Sequence, residues 1–246
     1  MFRTLIAGCL MTVLASEADA ACRIVSHLTQ EYAVCSFDPK IDDIRIFHTG
    51  GDGLPYAGFP PLDRDLRREG EYLAFGMNGG MYEHDLSSVG LLLTDSVERK
   101  EIARGDSWGN FYLKPNGVFY VKDGTAGVME TEAYVTAHLS PDFATQSGPM
   151  LVIDGAIHPK FQPQSDSLQI RNGVGVSNNG EVVFAISLVP VRFHDFATLF
   201  RDALDAPNAL FLDGSISSLY APSLGRFDGI HPMGPIVAVT RKTPGR

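Results

Sequence analysis

The sequence predicts a single α+β domain in which a mixed, mostly antiparallel β-sheet is flanked by helices. Short apolar or alternating runs, which are typical of strands, recur along the whole chain, whereas only three segments have helical spacing. The 25 Gly and 15 Pro residues fall between these runs without a period and mark turns. No internal repeat, charge run or low-complexity linker divides the chain, so we expect one packed domain.

The composition excludes several classes of protein. Of the 246 residues, 44% are hydrophobic and 20% are charged, which is ordinary for a globular protein and unlike a disordered, collagen-like or coiled-coil chain. The 20 Lys and Arg residues against 29 Asp and Glu give a formal net charge of −9. Because nucleic-acid binding depends on cations that neutralise phosphates, we do not expect this acidic chain to bind nucleic acid.

Residues 1–20 are typical of a secretory signal peptide. Arg3 precedes an apolar run over residues 5–15, and Ala18-Asp19-Ala20 is a small-residue cleavage motif. This run is shorter than the roughly 20 residues that span a bilayer. Cys9 resembles a lipoprotein cleavage site, but most of the apolar run follows it. We therefore expect a periplasmic or secreted protein with no membrane span.

Residues 21–71 are predicted to form an N-terminal hairpin-and-helix region. Alternating segments at residues 23–25 and 32–34 indicate a hairpin, and Cys22 and Cys35 flank it. Two cysteines in an exported chain are expected to form a disulfide bond rather than to remain as free thiols. Neither cysteine is therefore a candidate nucleophile.

The remaining elements follow from hydrophobic periodicity and from the turn residues between them. Pro115-Asn116-Gly117, between two alternating segments, predicts a hairpin. In chain order, we expect a strand at 41–48, a helix at 62–69, strands at 72–77 and 89–93, hairpin strands at 110–114 and 118–121, a helix at 131–139, strands at 146–153, 173–176 and 182–189, a helix at 194–204, and strands at 209–212 and 236–240.

Small polar residues lie beside or directly after three of these strands. They are Asn78-Gly79-Gly80, Arg171-Asn172-Gly173 and Asp213-Gly214-Ser215. If these segments meet at one edge, they form a cleft with a carboxylate, a guanidinium and a floor of backbone amides.

Tests for familiar catalytic and metal-binding motifs fail. The chain has no Gly-x-Ser-x-Gly, P-loop, dinucleotide fingerprint, His-Glu-x-x-His motif or cysteine pair at zinc spacing. Its seven histidines never lie within four residues of one another. We therefore expect no cofactor, although a metal site assembled from distant histidines stays open.

Seven blocks, taken in order, resemble the phosphodiester glycosidase domain family, including its bacterial exported branch. The blocks are Met77-Asn78-Gly79-Gly80-Met81-Tyr82, Ser88-Val89-Gly90-Leu91, Gly109 to Phe119, Gln146-Ser147-Gly148-Pro149-Met150-Leu151-Val152, Arg171 to Val176, Phe211 to Tyr220, and Gly234-Pro235-Ile236. The resemblance assigns residues 72–240 to such a domain. It departs from the animal pattern at residues 213–217, where Asp-Gly-Ser-Ile-Ser replaces Asp-Gly-Gly-Gly-Ser.

The resemblance implies a hydrolase that cleaves the bond between the anomeric carbon of a sugar, such as N-acetylglucosamine, and a phosphodiester. Its partner would be a phosphorylated saccharide or glycan. Two alternatives stay open: a non-catalytic module that binds phosphorylated envelope glycan, and a metal-dependent phosphodiesterase that cuts the P–O bond. The oligomeric state is not predicted.

A phosphate leaves readily, so such a site needs a cation to hold it and a carboxylate to stabilise the oxocarbenium-like carbon or activate water. Arg171 is the candidate cation because its planar fork suits phosphate. Asp213 is the first candidate carboxylate and Asp85 the second, with Glu83 as a competitor of Asp85.

The remaining candidates would bind the substrate. Asn78, Ser147 and Ser215 could hydrogen-bond sugar hydroxyls or phosphate oxygens. Glycines at five positions would let the backbone approach the substrate closely. These positions are Gly79, Gly80, Gly148, Gly173 and Gly214. Trp108, the only tryptophan, could stack on a sugar ring or pack at the core or rim.

Overall fold

The computed structural model describes residues 21–213 and 217–244. The predicted signal peptide, and Gly214 and Ser215 of the predicted site, lie outside these residues. The described strands form three sheets within one domain, and the helices pack on them, so the prediction of an α+β fold is confirmed. None of the described helices has the length and apolarity needed to cross a membrane.

The strands and helices follow one another along the chain with short connections. The strands are β1 (Ala21–His27), β2 (Gln30–Phe37), β3 (Asp43–Phe47), β4 (Glu71–Asn78), β5 (Leu92–Thr94), β6 (Val97–Lys100), β7 (Gly117–Lys122), β8 (Thr125–Glu130), β9 (Phe143–Ser147), β10 (Met150–Ile153), β11 (Ala156–Ile157), β12 (Asn172–Val176), β13 (Val182–Ser187), β14 (Asn208–Asp213), β15 (Leu219–Ala221), β16 (Arg226–Phe227) and β17 (Ile236–Lys242). The helices are α1 (Phe59–Arg68), α2 (Thr131–Ala137) and α3 (Phe193–Thr198), and a π-helical turn, Leu199–Ala203, follows α3.

The largest sheet has the order β1-β2-β13-β12-β14-β10-β11, and its pairings are antiparallel. The predicted N-terminal hairpin is β1 and β2, in which Cys22 and Cys35 lie opposite each other and form the expected disulfide bond. Because β2 pairs with β13, the hairpin extends the sheet that carries β12 and β14.

The other two sheets have five strands each. One has the order β16-β15-β4-β17-β3, and the other β6-β5-β9-β7-β8. Helix α1 covers β4 through the buried side chains of Phe59, Leu62 and Leu66. Its two prolines lie in the first turn, where a backbone N–H has no helical partner to lose.

The main core lies where the three sheets face one another. Phe184 of the large sheet packs against Phe75 of the second sheet and Phe119 of the third, at ring-centroid distances of 4.9 and 5.9 Å. The opposite face of the large sheet is covered by α3 and the π-helical turn, with Phe196 and Phe200 fully buried. Strand β13 is buried on both faces, as its unbroken apolar run predicts.

The predicted hairpin around Pro115-Asn116-Gly117 is wrong. Residues 110–112 form a 3-10 turn, and β7 pairs instead with β8 across Asp123-Gly124, where both residues have positive φ. The Asn116 side chain is buried and bonds to Phe111 O and to Thr131 Oγ1, so tertiary contacts determine its conformation.

The predicted strand at residues 146–153 is two strands in different sheets. Strand β9 belongs to the third sheet and β10 to the largest one, and Gly148-Pro149 lies between them. The chain therefore crosses between two sheets at this point, next to the predicted site.

Candidate active site

Three polar side chains from separate segments meet where the first and second sheets join. Asn78 ends β4, Asn172 begins β12 and Asp213 ends β14. Asn78 Nδ2 donates to Asp213 Oδ2 (3.3 Å), and Asn172 Nδ2 donates to Asn78 Oδ1 (3.2 Å). Asn172 Oδ1 accepts from the backbone N–H of Asp213 (2.9 Å). The three predicted strand ends are thus joined in one hydrogen-bonded cluster.

Backbone and hydroxyl groups hold this cluster from its sides. Asn78 Oδ1 also accepts from the backbone N–H of Ser218 (2.7 Å), and Ser217 Oγ donates to the carbonyl oxygen of Asp213 (3.0 Å). Ser147 Oγ, from the third sheet, donates to Leu212 O (2.8 Å). All three sheets therefore reach the residues around Asp213, which favours a rigid position for this carboxylate.

Asp213 contributes to the wall of a cleft of about 960 Å³. Asp213 is 8% exposed, so the residue is largely buried, and it is exposed where it lines the cleft. The cleft is lined by residues 81–84, Leu86 and Val89 from the loop after β4, by residues 107–112, and by Asp213 and Pro232. Its size is within the range of small-molecule sites.

Tyr82 lies in this cleft and responds to its electrostatics. Burial first, and the negative charge of Asp213 second, raise the pKa of Tyr82 to about 12. The phenol therefore stays protonated at neutral pH, and its hydroxyl donates to Pro232 O (2.9 Å). Tyr82 can thus form an uncharged, partly polar wall beside the carboxylate.

Arg171 does not line this cleft, and its side chain corrects the expectation of an open guanidinium. The residue is 1% exposed. Its Nε donates to Val191 O (2.9 Å), and Nη2 donates to Ser167 O (3.1 Å). Its guanidinium carbon lies 3.5 Å from the ring centroid of Phe193. Burial lowers the pKa of Arg171 to about 10, so it remains a cation at neutral pH.

The buried guanidinium holds the loop between β11 and β12. The Phe193 ring, which the guanidinium covers, stacks on Phe161 with a centroid distance of 4.8 Å. Phe161 in turn stacks on the His158 ring at 4.7 Å. Backbone carbonyl oxygens and an aromatic ring of the protein therefore contact the guanidinium. Contact between Arg171 and a phosphate stays a prediction.

Asp85 and Glu83 lie on the loop after β4, and only Glu83 is among the residues that line the cleft. Asp85 is exposed, and its Oδ1 accepts from the backbone N–H and the hydroxyl of Ser87. These hydrogen bonds lower the pKa of Asp85. The structure therefore brings Asp213, but not Asp85, into the cluster with Asn78.

Close packing accounts for the glycines predicted to bind substrate. A Cβ atom on Gly79 would lie 2.9 Å from Val237 N, and one on Gly173 would lie 2.8 Å from Leu210 O. Gly80 has a φ of +144°, and a Cβ atom there would meet Thr145 Oγ1 at 2.7 Å. A Cβ atom on Gly148 would lie 2.6 Å from Asn116 Cβ. Protein atoms fill these spaces, and the substrate contacts of these glycines stay predictions.

The sequence did not single out two residues of this site. Asn172 was quoted within a motif, yet it links Asn78 to Asp213 through its side-chain amide. His84 is the one basic residue among the described residues that line the cleft. Asn172 could have been found from its position at the predicted strand end, whereas His84 carries no pattern of its own. In residues 21–213 and 217–244, no three His, Cys, Asp or Glu side chains are grouped as metal ligands.

The sequence matches a family model and a bacterial relative. The family model described as phosphodiester glycosidase matches residues 72–235, which contain Asn78, Asn172 and Asp213. The uncharacterized protein YigE of Escherichia coli (strain K12) is 32% identical over 219 residues, covering 89% of this chain and 84% of YigE.

Solved structures share the fold at low sequence identity. The catalytic domain of zebrafish N-acetylglucosamine-1-phosphodiester alpha-N-acetylglucosaminidase, auto-inhibited by its pro-peptide, has a TM-score of 0.60 and 14% identity, covering 89% of this chain and 81% of that one. A hypothetical protein from Synechocystis has a TM-score of 0.56 and 13% identity, covering 90% of this chain and 61% of that one. Since the family model spans well over half of the sequence, this chain belongs to the phosphodiester glycosidase family.

Proposed function

We propose that this protein is an exported hydrolase that cleaves the glycosidic bond between a sugar of the N-acetylglucosamine type and a phosphodiester. The observation that carries the proposal is the position of Asp213. This carboxylate lies at the wall of a substrate-sized cleft and is oriented by the Asn78 amide. The family and the name of the zebrafish relative supply the reaction class.

Asp213 is the proposed group that meets the anomeric carbon. As that carbon gains positive charge, an ionised carboxylate beside it either stabilises the charge or takes a proton from an attacking water. The burial of Asp213 strengthens such an interaction, because water screens a buried charge less than an exposed one. Asn78 acts as a positioning residue, since it fixes the carboxylate through its amide.

The leaving phosphate needs a donor on the other side of the cleaved bond. His84, as the basic residue of the cleft lining, is the proposed donor to a phosphate oxygen. This assignment moves the phosphate-binding role predicted for Arg171 to a group that a ligand can reach. Arg171 would then support the site by fixing the chain next to Asn172, whose side-chain amide links Asn78 to Asp213.

Export is proposed from the N-terminal sequence and the disulfide bond. Residues 1–20 have the pattern of a signal peptide, and the Cys22–Cys35 bond fits an oxidising compartment. The substrate is accordingly placed in the cell envelope or outside the cell.

The test is hydrolysis of a methyl phosphodiester of N-acetylglucosamine 1-phosphate by the mature protein. Free N-acetylglucosamine is the expected product. Release of N-acetylglucosamine 1-phosphate would identify a phosphodiesterase instead, and binding without turnover across a panel of sugars would identify a binding module.

Matched variants test the assignment of Asp213. Asp213→Asn keeps the side-chain shape and should lower kcat by about 10²-fold or more, because it removes the negative charge from the reacting centre. Asp85→Asn should leave kcat within about threefold of the wild type. The opposite result in the two variants would move the catalytic carboxylate to Asp85.

A further inference from the structure

Trp108 stands out because it is large, apolar and almost completely exposed. The residue is 90% exposed and is one of the residues that line the cleft beside Asp213. An exposed indole leaves a wide apolar face in contact with water, which is unfavourable unless a partner covers it. Its position at the cleft, rather than on an unrelated surface, points to a ligand as that partner.

The segment that carries Trp108 is braced to the rest of the domain. Ala103 exchanges two hydrogen bonds with the side chain of Gln146, each 2.8 Å long. Lys114 Nζ donates to Arg104 O (2.8 Å) and forms an ion pair with Asp106 (2.8 Å). These contacts hold the chain just before the indole. Trp108 is therefore exposed although hydrogen bonds and an ion pair hold the residues just before it.

The other end of the same segment turns directly into the cleft wall. Gly109 has a φ of +96°, a conformation that glycine adopts readily, and the 3-10 turn Asn110–Tyr112 follows it. Phe111 of this turn is buried, whereas Trp108 is left outside. The turn thus fixes where the indole leaves the protein surface.

We propose that Trp108 forms a stacking subsite for a ring on the aglycone, the group that stays with the phosphate after cleavage. The inference rests on the proposed function, because it takes Asp213 as the group beside the cleaved bond. The sugar that is released must reach the largely covered Asp213, so the exposed indole meets a part of the substrate that lies farther out. The cleft volume of about 960 Å³ leaves room for more than one sugar and a phosphate.

The chemistry of the indole defines what it can accept. Its flat face suits the C–H face of a pyranose or the face of a nucleobase, and its N–H can donate a hydrogen bond. A hexose and a nucleoside are two sources of such a ring. A methyl group offers too little area to stack. The substrate class is therefore a sugar 1-phosphodiester whose aglycone carries a ring.

Fluorescence tests the subsite independently of turnover, because Trp108 is the only tryptophan in the chain. The Asp213→Asn variant would be titrated with three N-acetylglucosamine 1-phosphodiesters, with methyl, hexose and uridine aglycones, and binding would be measured in parallel by calorimetry. We expect the emission to change with the hexose or uridine compound and not with the methyl compound. If the emission stays unchanged with both ring-bearing compounds, the proposal of a stacking subsite at Trp108 is overturned, whether or not calorimetry detects binding.

Kinetics on the wild-type background provide the second test. Trp108→Ala should lower kcat/KM by about tenfold for the preferred ring-bearing diester and by less than about twofold for the methyl diester, with Trp108→Phe in between. Ile230→Ala is the control, because Ile230 is also 90% exposed but lines a different cleft. Equal losses on methyl and ring-bearing diesters would contradict a ring subsite. Absence of turnover of every diester by the wild type would instead contradict the proposed function.

Discussion

Asn78 and Asp213 are 135 residues apart in the chain, and the Asn78 side-chain amide donates a 3.3 Å hydrogen bond to the Asp213 carboxylate. The two residues end strands of different sheets. The amide oxygen of Asn78 accepts from Asn172 Nδ2 and from Ser218 N, so the direction in which its Nδ2 points is fixed. The carboxylate is therefore positioned by the junction of the sheets.

Replacing Asn78 tests this arrangement. Asn78→Ala removes the donor to Asp213 and leaves the buried Asn172 amide and Ser218 N–H without their acceptor. We expect kcat to fall by about 10- to 100-fold and the free energy of unfolding to fall by about 2 kcal/mol. Steady-state kinetics and urea denaturation would measure the two effects.

Asn116→Ala is a matched control for that variant. Asn116 is also buried and bonds through both ends of its amide, to Phe111 O and Thr131 Oγ1. It should lose similar stability while keeping kcat within a few-fold of the wild type. Equal losses of kcat in the two variants would mean that Asn78 acts only through folding.

Replacing Arg171 should affect both folding and turnover. Arg171→Ala would leave Val191 O and Ser167 O without their donor and open a cavity beside Phe193. We expect the free energy of unfolding to drop by about 3 kcal/mol. We also expect kcat to fall, because the next residue, Asn172, belongs to the hydrogen-bonded cluster of the site.

Two further variants make the Arg171 result specific. Arg171→Lys keeps a cation but cannot bond to both carbonyls, so it should recover only part of the stability. Arg192→Ala removes a partly buried arginine that bonds to Ser165 O in the same loop, and should cost less than about 1 kcal/mol. Wild-type stability in Arg171→Ala would show that the guanidinium does not hold the loop.

Gly79→Ala separates a packing role from a substrate-binding role. The new methyl group would meet the backbone of residues 235–237 at 2.9–3.1 Å, and a backbone cannot move aside as a side chain can. We expect a loss of about 1–3 kcal/mol in the free energy of unfolding. Gly51→Ala, with no atom within 4 Å of the new methyl group, should change it by less than about 0.5 kcal/mol. A raised KM at unchanged stability would favour substrate contact instead.

Local patterns predicted the α+β class, the disulfide-linked hairpin and the meeting of three polar strand ends. They failed where a longer-range contact overrides a local preference. Pro115-Asn116-Gly117 has the composition of a hairpin turn, but buried hydrogen bonds use the Asn116 amide and β7 pairs with β8. Arg171 looked like an open cation because its residue type does not reveal which face of the sheet it occupies.

His158 should make the stability of the protein depend on pH. Its imidazole is buried, and Nδ1 accepts from the backbone N–H of Lys160 (3.2 Å), so the neutral ring carries its proton on Nε2. Burial lowers the pKa of His158 below its ordinary value of about 6.5. Just below pH 6.5 the unfolded chain therefore binds a proton that the folded protein resists.

The contribution of His158 to the free energy of unfolding should accordingly be complete above about pH 6.5. It should decline as the pH falls toward the lowered pKa of the folded state and then level off. Protonating Nδ1 would also break the bond to Lys160 and add charge beside the stacked Phe161 ring. Urea denaturation of the wild type, His158→Phe and the exposed-histidine control His231→Gln, from about pH 5 to 8, measures this effect. The decline should flatten in His158→Phe and persist in His231→Gln, and parallel curves in all three would exclude His158 as its source.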